Sequence, residues 1–225
     1  MPRRLPLFPL GSVLFPGMAL PLRVFEERYR RLLADLLDEP ADEPRRFGIV
    51  GIEFGHEVGE GAAHRLSDVG CVAEISSVHR REDGQYDIVA QGMTRFRVDA
   101  VDAPDAERPY QRAATTPLPD EVGEGAEELA ERVNRLFTTY CERLASAGVR
   151  VEIPDDFPTD PLPLSYAVAA AVVVDRYDKQ GLLEVDQATE RLKRLAELLR
   201  RENRLLTTLP TLPAGPFTRH EVSLN

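Results

Sequence analysis

The sequence has no tryptophan, two cysteines and only two lysines among its 28 basic residues. Cys71 and Cys141 lie far apart, and a small secreted protein that depends on disulfides would normally have more cysteines. We therefore expect both thiols to be reduced. Positive charge is also scarce: 38 acidic residues give a formal net charge of -10. A polyanion would meet net repulsion, so nucleic acid is an unfavoured partner.

Long apolar runs are missing as well. The start resembles an export signal, because Arg3 and Arg4 precede the apolar residues 5–22. Four prolines interrupt that stretch, however, whereas the apolar core of an export signal is normally uninterrupted and helix-forming. The next candidate, Tyr166–Val174, is far shorter than the roughly 18 apolar residues that a membrane span needs. We expect a cytoplasmic protein without membrane association.

Short apolar segments separated by turn signals dominate the first half of the chain. A turn is predicted at 14–17, and three- and four-residue apolar spacing predicts one helix from Pro21 to about Asp38. Strand-like alternation and β-branched residues then recur at 47–54, 69–78, 86–91, 96–101 and 110–116. Many strands and one early helix favour a small mixed or antiparallel barrel over a parallel nucleotide-binding sheet.

The second half is helical in character. An acidic stretch after Pro119 merges into an amphipathic helix, and two more helices are predicted at 164–175 and 186–206. Amphipathic helices need partners to bury their apolar faces, so these should form a bundle. We expect an α+β protein with a barrel subdomain that includes the early helix, a helical bundle subdomain and an irregular tail. Their predicted bounds are 1–119, 120–209 and 210–225.

A series of motifs follows the order found in the N-terminal substrate-binding domain of Lon protease. They are LPLFPL at 5–10, LFPG at 14–17, PLRVFE at 21–26, FGIV at 47–50, VGCVAEI at 69–75, GMTRFR at 92–97 and KQGLLE at 179–184. From Leu5 to Leu206 the sequence thus resembles this bacterial-type domain. The resemblance implies a PUA-like β-barrel (a pseudobarrel) followed by a helical bundle. It also implies binding of protein substrates.

The ATPase and the serine–lysine peptidase that follow this domain in the protease have no counterpart among the motifs of the sequence. No G-x-x-x-x-G-K-[ST] loop is present, so the phosphate-binding amides and lysine are missing. Ser165 and Lys179 match no part of the family's peptidase motif, and the histidines and cysteines lack the short paired spacing of zinc sites. We therefore expect a stand-alone, non-enzymatic module with no catalytic residue, cofactor or metal.

An apolar surface near the start is the predicted binding site. Phe15, Met18 and Leu20 lie in a turn segment expected to stay partly exposed, and the flexible side chains of Met18 and Met93 suit varied partners. The alternative is that these residues only close the end of the barrel. The expected partners are unfolded or partly folded polypeptides and a separate protease. The chain, as a monomer or homodimer, would then be an adaptor or regulator in protein quality control.

Two other functions stay open, an RNA-binding PUA-like module and a hydrolase with an unrecognised site. A basic patch for RNA could be formed by Arg80, Arg81, Arg95 and Arg97. Acidic residues lie among these arginines, however, and no aromatic stacking platform accompanies them. A solvated strand face is the simpler interpretation. The hydrolase alternative would require a deep pocket with convergent titratable groups.

Overall fold

The computed structural model describes residues 4–40, 42–55, 63–151, 154, 156–208 and 221–222. The elements in chain order are β1 (Leu5–Leu10), β2 (Ala19–Val24), α1 (Glu27–Leu37), β3 (Arg46–Gly55), β4 (Ala63–Arg80), β5 (Tyr86–Asp102), β6 (Arg112–Pro117), α2 (Ala126–Ser146), β7 (Arg150–Val151), α3 (Pro161–Ala171), α4 (Arg176–Leu183), α5 (Ala188–Thr208) and β8 (Glu221–Val222). The predicted α+β fold is confirmed. The irregular tail predicted for 210–225 lies, apart from β8, outside the described residues.

The chain divides into two compact units. The first contains Met1–Pro119 and Arg176–Glu184, and the second contains Asp120–Asp175 and Val185–Asn225. Helix α4 therefore groups with the strands, although its sequence lies between two helices of the second unit. This differs from the predicted helical subdomain at 120–209, which included all of these residues.

Six strands of the first unit form one sheet in the order β2-β5-β4-β3-β1-β6. Strand β6 also pairs with β5, so five of the strands close into a ring and β2 is added outside it. Only β1 and β3 are parallel among these pairs; the others are antiparallel. The long strands β4 and β5 make closure possible because each pairs with different neighbours along its length.

Two apolar clusters lie on opposite faces of these strands. Successive side chains of a strand point to opposite faces, so Leu7 belongs to one cluster and Phe8 to the other. The smaller cluster consists of Leu7, Val50, Phe96 and Ala113, with partly buried neighbours. The larger cluster is covered by α1, which buries Tyr29, Leu32, Leu33 and Leu36 in it.

The predicted helix from Pro21 is wrong at its start. Residues 19–24 form β2 instead, and α1 begins at Glu27. The two patterns meet here, since Leu20, Leu22 and Val24 have the two-residue spacing of a strand and Phe25 precedes Tyr29 by the four residues of a helical turn. Residues 19–24 form a strand rather than the start of the helix because all six pair with β5.

The second unit packs α2, α3 and α5 against one another, and the fully buried Arg191 of α5 contacts α3. The guanidinium of Arg191 donates to the Ser165 hydroxyl at 3.0 Å, to the Tyr166 hydroxyl at 3.1 Å and to the Val185 carbonyl. It also lies 3.9 Å from the centre of the Tyr166 ring. A buried guanidinium has lost its contacts with water, so these hydrogen bonds are needed to replace them.

Candidate functional site

The predicted turn near the start is confirmed as a type II turn. The Met18 N–H donates to the Phe15 carbonyl at 3.2 Å, with Pro16 and Gly17 at the central positions. The φ angle of Gly17 is 82°, which the third position of a type II turn requires. The turn is fixed to β5 because the Gly17 N–H donates to the Gly92 carbonyl at 2.9 Å and the Gly92 N–H donates to the Met18 carbonyl at 2.7 Å.

The four residues of the predicted surface have different environments. Phe15 is only 1% exposed, so the expectation that it stays exposed is wrong. Burial of this large apolar ring is favourable, and the hydrogen bonds of Gly17 and Met18 with Gly92 hold the turn against β5. Met18 and Leu20 are half-buried against the larger apolar cluster, and Met93 is 38% exposed. The turn therefore places Met18 opposite Gly92, the residue before Met93, while Phe15 is buried.

Strand β2 adds further apolar residues to this region. Leu22 is half-buried beside Leu20, and Phe25, which follows the strand, is 48% exposed. We call Met18, Leu20, Leu22, Phe25 and Met93 the β2 surface. Leu22 and Phe25 fall within the helix predicted from Pro21, so neither was part of the predicted surface. The alternation of leucines with Pro21 and Arg23 is the signal that identifies Leu22, whereas Phe25 lies outside this pattern.

Strand β2 has an open edge. It pairs with β5 and with no other strand among the described residues of the first unit. The opposed residues of an antiparallel pair alternate between hydrogen-bonded and non-bonded pairs, and Met18 opposite Gly92 belongs to the bonded set. The even-numbered residues of β2 therefore turn their backbone groups to β5. The residues that turn their backbone groups to the open edge are Ala19, Pro21 and Arg23.

A shallow groove of about 600 Å³ lies on the outer face of β2, β5 and β4. Its lining residues are Pro21, Leu22, Arg23, Ser77, His79, Asp87, Ile88 and Val89. Asp87 accepts hydrogen bonds from Arg81 at 2.9 Å and from Arg23 at 3.1 Å. The hydrogen bond from Arg81 has the larger effect on the pKa of Asp87, and together with the bond from Arg23 it holds this pKa below its ordinary value. Arg23 and Asp87 in the groove are thus paired, and its other lining residues include the apolar Pro21, Leu22, Ile88 and Val89.

The basic patch considered for RNA is not formed. Arg95 is fully buried and donates to the carbonyls of Leu183 and Pro119, each at 3.1 Å. Arg97 pairs with Asp99 at 3.2 Å, and Arg81 pairs with Asp87. These arginines serve the fold or neutralise neighbouring carboxylates.

A cleft of about 1,060 Å³ lies in the first unit and is lined by residues that include Arg31, Asp35, Tyr110 and Arg112. The Tyr110 hydroxyl donates to Asp35 at 2.6 Å, and Arg31 pairs with the other oxygen of the same carboxylate at 2.9 Å. Burial and this hydrogen bond raise the pKa of Tyr110. Arg112 pairs with Asp105 at 3.1 Å. The cleft is therefore lined by paired charges, a pattern typical of a structural network.

The remaining candidates for chemistry are structural. Ser165 donates to the Leu162 carbonyl at 2.7 Å and belongs to the second unit, whereas Lys179 belongs to the first. Cys71 and Cys141 are buried thiols that form no disulfide with each other, and burial raises the pKa of Cys141 to about 11. Within the described ranges no group of histidine, cysteine and acidic residues could hold a metal ion. Nor does any helix there have the length and apolar character to cross a membrane.

Family comparison gives one matching model, described as the ATP-dependent protease La (LON) substrate-binding domain, over residues 4–201. The chain is 30% identical over 210 residues to Lon protease 2 of Myxococcus xanthus and 30% identical over 211 residues to Lon protease of Anaeromyxobacter dehalogenans. Each alignment covers 92% of this chain and 24% of the relative. The chain thus spans about a quarter of the length of the curated relatives it matches.

Two solved structures have a similar fold. The Lon N-terminal domain protein from Xanthomonas campestris aligns with a TM-score of 0.58 and 23% identity, covering 92% of this chain and 99% of that one. The N-terminal domain of Mycobacterium avium complex Lon protease aligns with a TM-score of 0.66 and 20% identity, covering 88% and 98% of the two chains. At these identities the likeness concerns the fold alone.

Proposed function

Because the chain belongs to the family of Lon substrate-binding domains, we propose that it binds unfolded or partly folded polypeptides through the β2 surface. The binding is non-covalent and needs no cofactor. Family membership supports the function, and the exposed apolar residues around β2 support the location.

One observation carries the location. Large apolar side chains stay accessible on and beside the only strand of the described sheet that has a single neighbour. Met93 lies near the start of β2 and Phe25 follows its end, and burial of such exposed apolar side chains against another molecule is favourable. Methionine and leucine side chains adapt to different partner shapes, which suits a protein that binds many unfolded sequences.

The test is fluorescence anisotropy with a labelled polypeptide kept unfolded by reduction and carboxymethylation. We expect the wild-type chain to bind it and the double variant Phe25→Ser, Met93→Ser to bind at least about tenfold more weakly, since two apolar contacts are lost. The matched control is Val101→Ser, which changes an exposed apolar residue farther along β5. No binding by the wild type would contradict the function. Equal loss in the control variant would contradict the location.

We further propose that the chain acts as an adaptor or regulator that delivers bound polypeptide to a separate protease. An adaptor should change the rate at which that protease degrades an unfolded polypeptide, and the double variant should lose this effect. The measurement is the degradation rate with and without the chain. A rate that is unaffected by the wild-type chain would contradict this role while leaving polypeptide binding intact.

A further inference from the structure

We infer that the polypeptide binds as an added strand along the open edge of β2. This inference rests on the proposed function, and it specifies the class of ligand as an extended backbone with apolar side chains at alternate positions. Its basis is the set of backbone groups that face the open edge, rather than the apolar side chains alone.

The open edge offers a repeating set of hydrogen-bonding groups. The carbonyls of Ala19, Pro21 and Arg23 face it, as do the N–H groups of Ala19 and Arg23, given the bonded pair of Met18 and Gly92. Alternate residues of a strand are about 6.8 Å apart, and an extended backbone has donors and acceptors at the same spacing. Helices and folded surfaces satisfy their own backbone groups, so an extended segment is the partner that fits this edge.

The side chains on the two faces of β2 favour a ligand whose apolar and polar residues alternate. An added strand places every second side chain on the same face as Met18, Leu20 and Leu22, where half-buried apolar surface is available. Its other side chains lie on the face of Pro21 and Arg23, which is more exposed and partly charged. A segment with apolar residues at every second position therefore matches the edge best.

Pro21 has a specific role in this arrangement. It cannot donate a hydrogen bond, so the centre of the edge has an acceptor without a donor. Proline on an edge strand weakens pairing between copies of the same protein, because both edges lack that donor. The residue thus limits self-association while three carbonyls and two N–H groups are left for a ligand. A second copy of this chain is the competing occupant, which the test below separates.

The first test varies the ligand and leaves the protein unchanged. The probe is a peptide that alternates leucine and serine between lysine caps, prepared in two N-methylated forms, one methylated at every leucine and the other at every serine. In an added strand only one of these sets donates to β2. We expect one form to bind at least about tenfold more weakly than the unmethylated peptide and the other to bind within about threefold.

The result separates the two levels of the proposal. If neither the peptide nor an unfolded polypeptide binds, the proposed function fails. If both bind and the two N-methylated forms behave alike, added-strand binding is wrong and the function stands. Binding that disappears as the protein concentration rises, with dimers detected by sedimentation, would assign the edge to a second copy.

The second test restores the missing donor. Pro21→Ala supplies an N–H at the centre of the edge, so we expect the unmethylated peptide to bind about threefold to tenfold more tightly. We also expect stronger self-association of this variant. The matched control is Pro117→Ala, an exposed proline at the end of β6, which should leave the affinity unchanged. Equal affinity of Pro21→Ala and wild type would contradict the inference.

Discussion

The carbonyl oxygen of Phe15 occupies the position where a side chain at residue 92 would begin. A Cβ atom built on Gly92 would lie 2.2 Å from that oxygen, closer than any normal contact. The backbone hydrogen bonds of Gly17 and Met18 with Gly92 hold the turn at this distance. Gly92 is therefore the residue that lets the turn lie flat on β5 and places Met18 at the start of the β2 surface.

Gly92→Ala should be strongly destabilising, because the methyl group meets backbone atoms that cannot move without breaking the turn. We expect the free energy of unfolding to fall by about 3 kcal/mol. The measurement is urea unfolding followed by circular dichroism. Gly181→Ala is the control, since a Cβ there meets nothing within 4 Å and alanine favours a helix by up to about 1 kcal/mol. Similar stability of the two variants would contradict the packing described for the turn.

Substitution of Phe15 should affect mainly the stability of the fold, and substitution of Met93 mainly the binding of polypeptide. Phe15→Ala removes a buried ring and is expected to lower the free energy of unfolding by about 3–5 kcal/mol. Met93→Ala changes an exposed side chain and should alter it by less than about 1 kcal/mol while weakening polypeptide binding. Urea unfolding and anisotropy on the same samples check both statements. A stable Phe15→Ala variant would contradict the burial of this ring.

Arg95 should anchor α4 within the first unit. Arg95→Met leaves the Leu183 and Pro119 carbonyls without their donor, and we expect a loss of about 2–4 kcal/mol in the free energy of unfolding. Amide hydrogen exchange in α4 should also become faster. Arg97→Met, an exposed neighbour, is the control and should cost less than about 1 kcal/mol. Unchanged exchange in α4 would show that Arg95 does not hold this helix.

Both cysteines should resist thiol reagents in the folded protein. The pKa of Cys141 is raised to about 11 by burial, so at pH 8 roughly one thiol in a thousand is ionised. The unfolded chain loses the Cys141 proton from about pH 9 upward, whereas the folded chain keeps it to about pH 11. The titration of Cys141 therefore lowers the free energy of unfolding as the pH rises above about 9. We expect the labelling rate with a disulfide reagent to follow global unfolding. Fast labelling of both thiols at neutral pH would contradict this.

Local patterns were sufficient for the turns and the main helices. The Pro16–Gly17 turn depends on residues that are adjacent in sequence. The helices α2 and α5 each carry apolar residues at helical spacing along 21 residues, and α3 is mostly apolar. The family motifs then supplied the order in which these pieces occur.

Contacts between residues far apart in sequence determine the burial of Arg95 and the position of α4, which local sequence patterns do not predict. Arg95 alternates with Phe96 in the sequence and was interpreted as solvated, but an irregularity in β5 breaks the alternation: Met93 and Thr94 are both exposed, and Arg95 and Phe96 are both buried. The partner of Arg95 in α4, Leu183, lies 88 residues away. Such pairs leave no local signal, so neither the buried arginine nor the grouping of α4 with the strands could be predicted from the sequence.

The open edge of β2 could be tested most directly by residue-resolved amide hydrogen exchange, measured by NMR with and without an unfolded polypeptide. The N–H groups of Leu20 and Leu22 face β5 and serve as internal controls that are protected in both samples. We predict that the N–H groups of Ala19 and Arg23 exchange fast in the free chain and become protected when polypeptide is bound. Unchanged exchange at both residues in the bound sample would contradict the account.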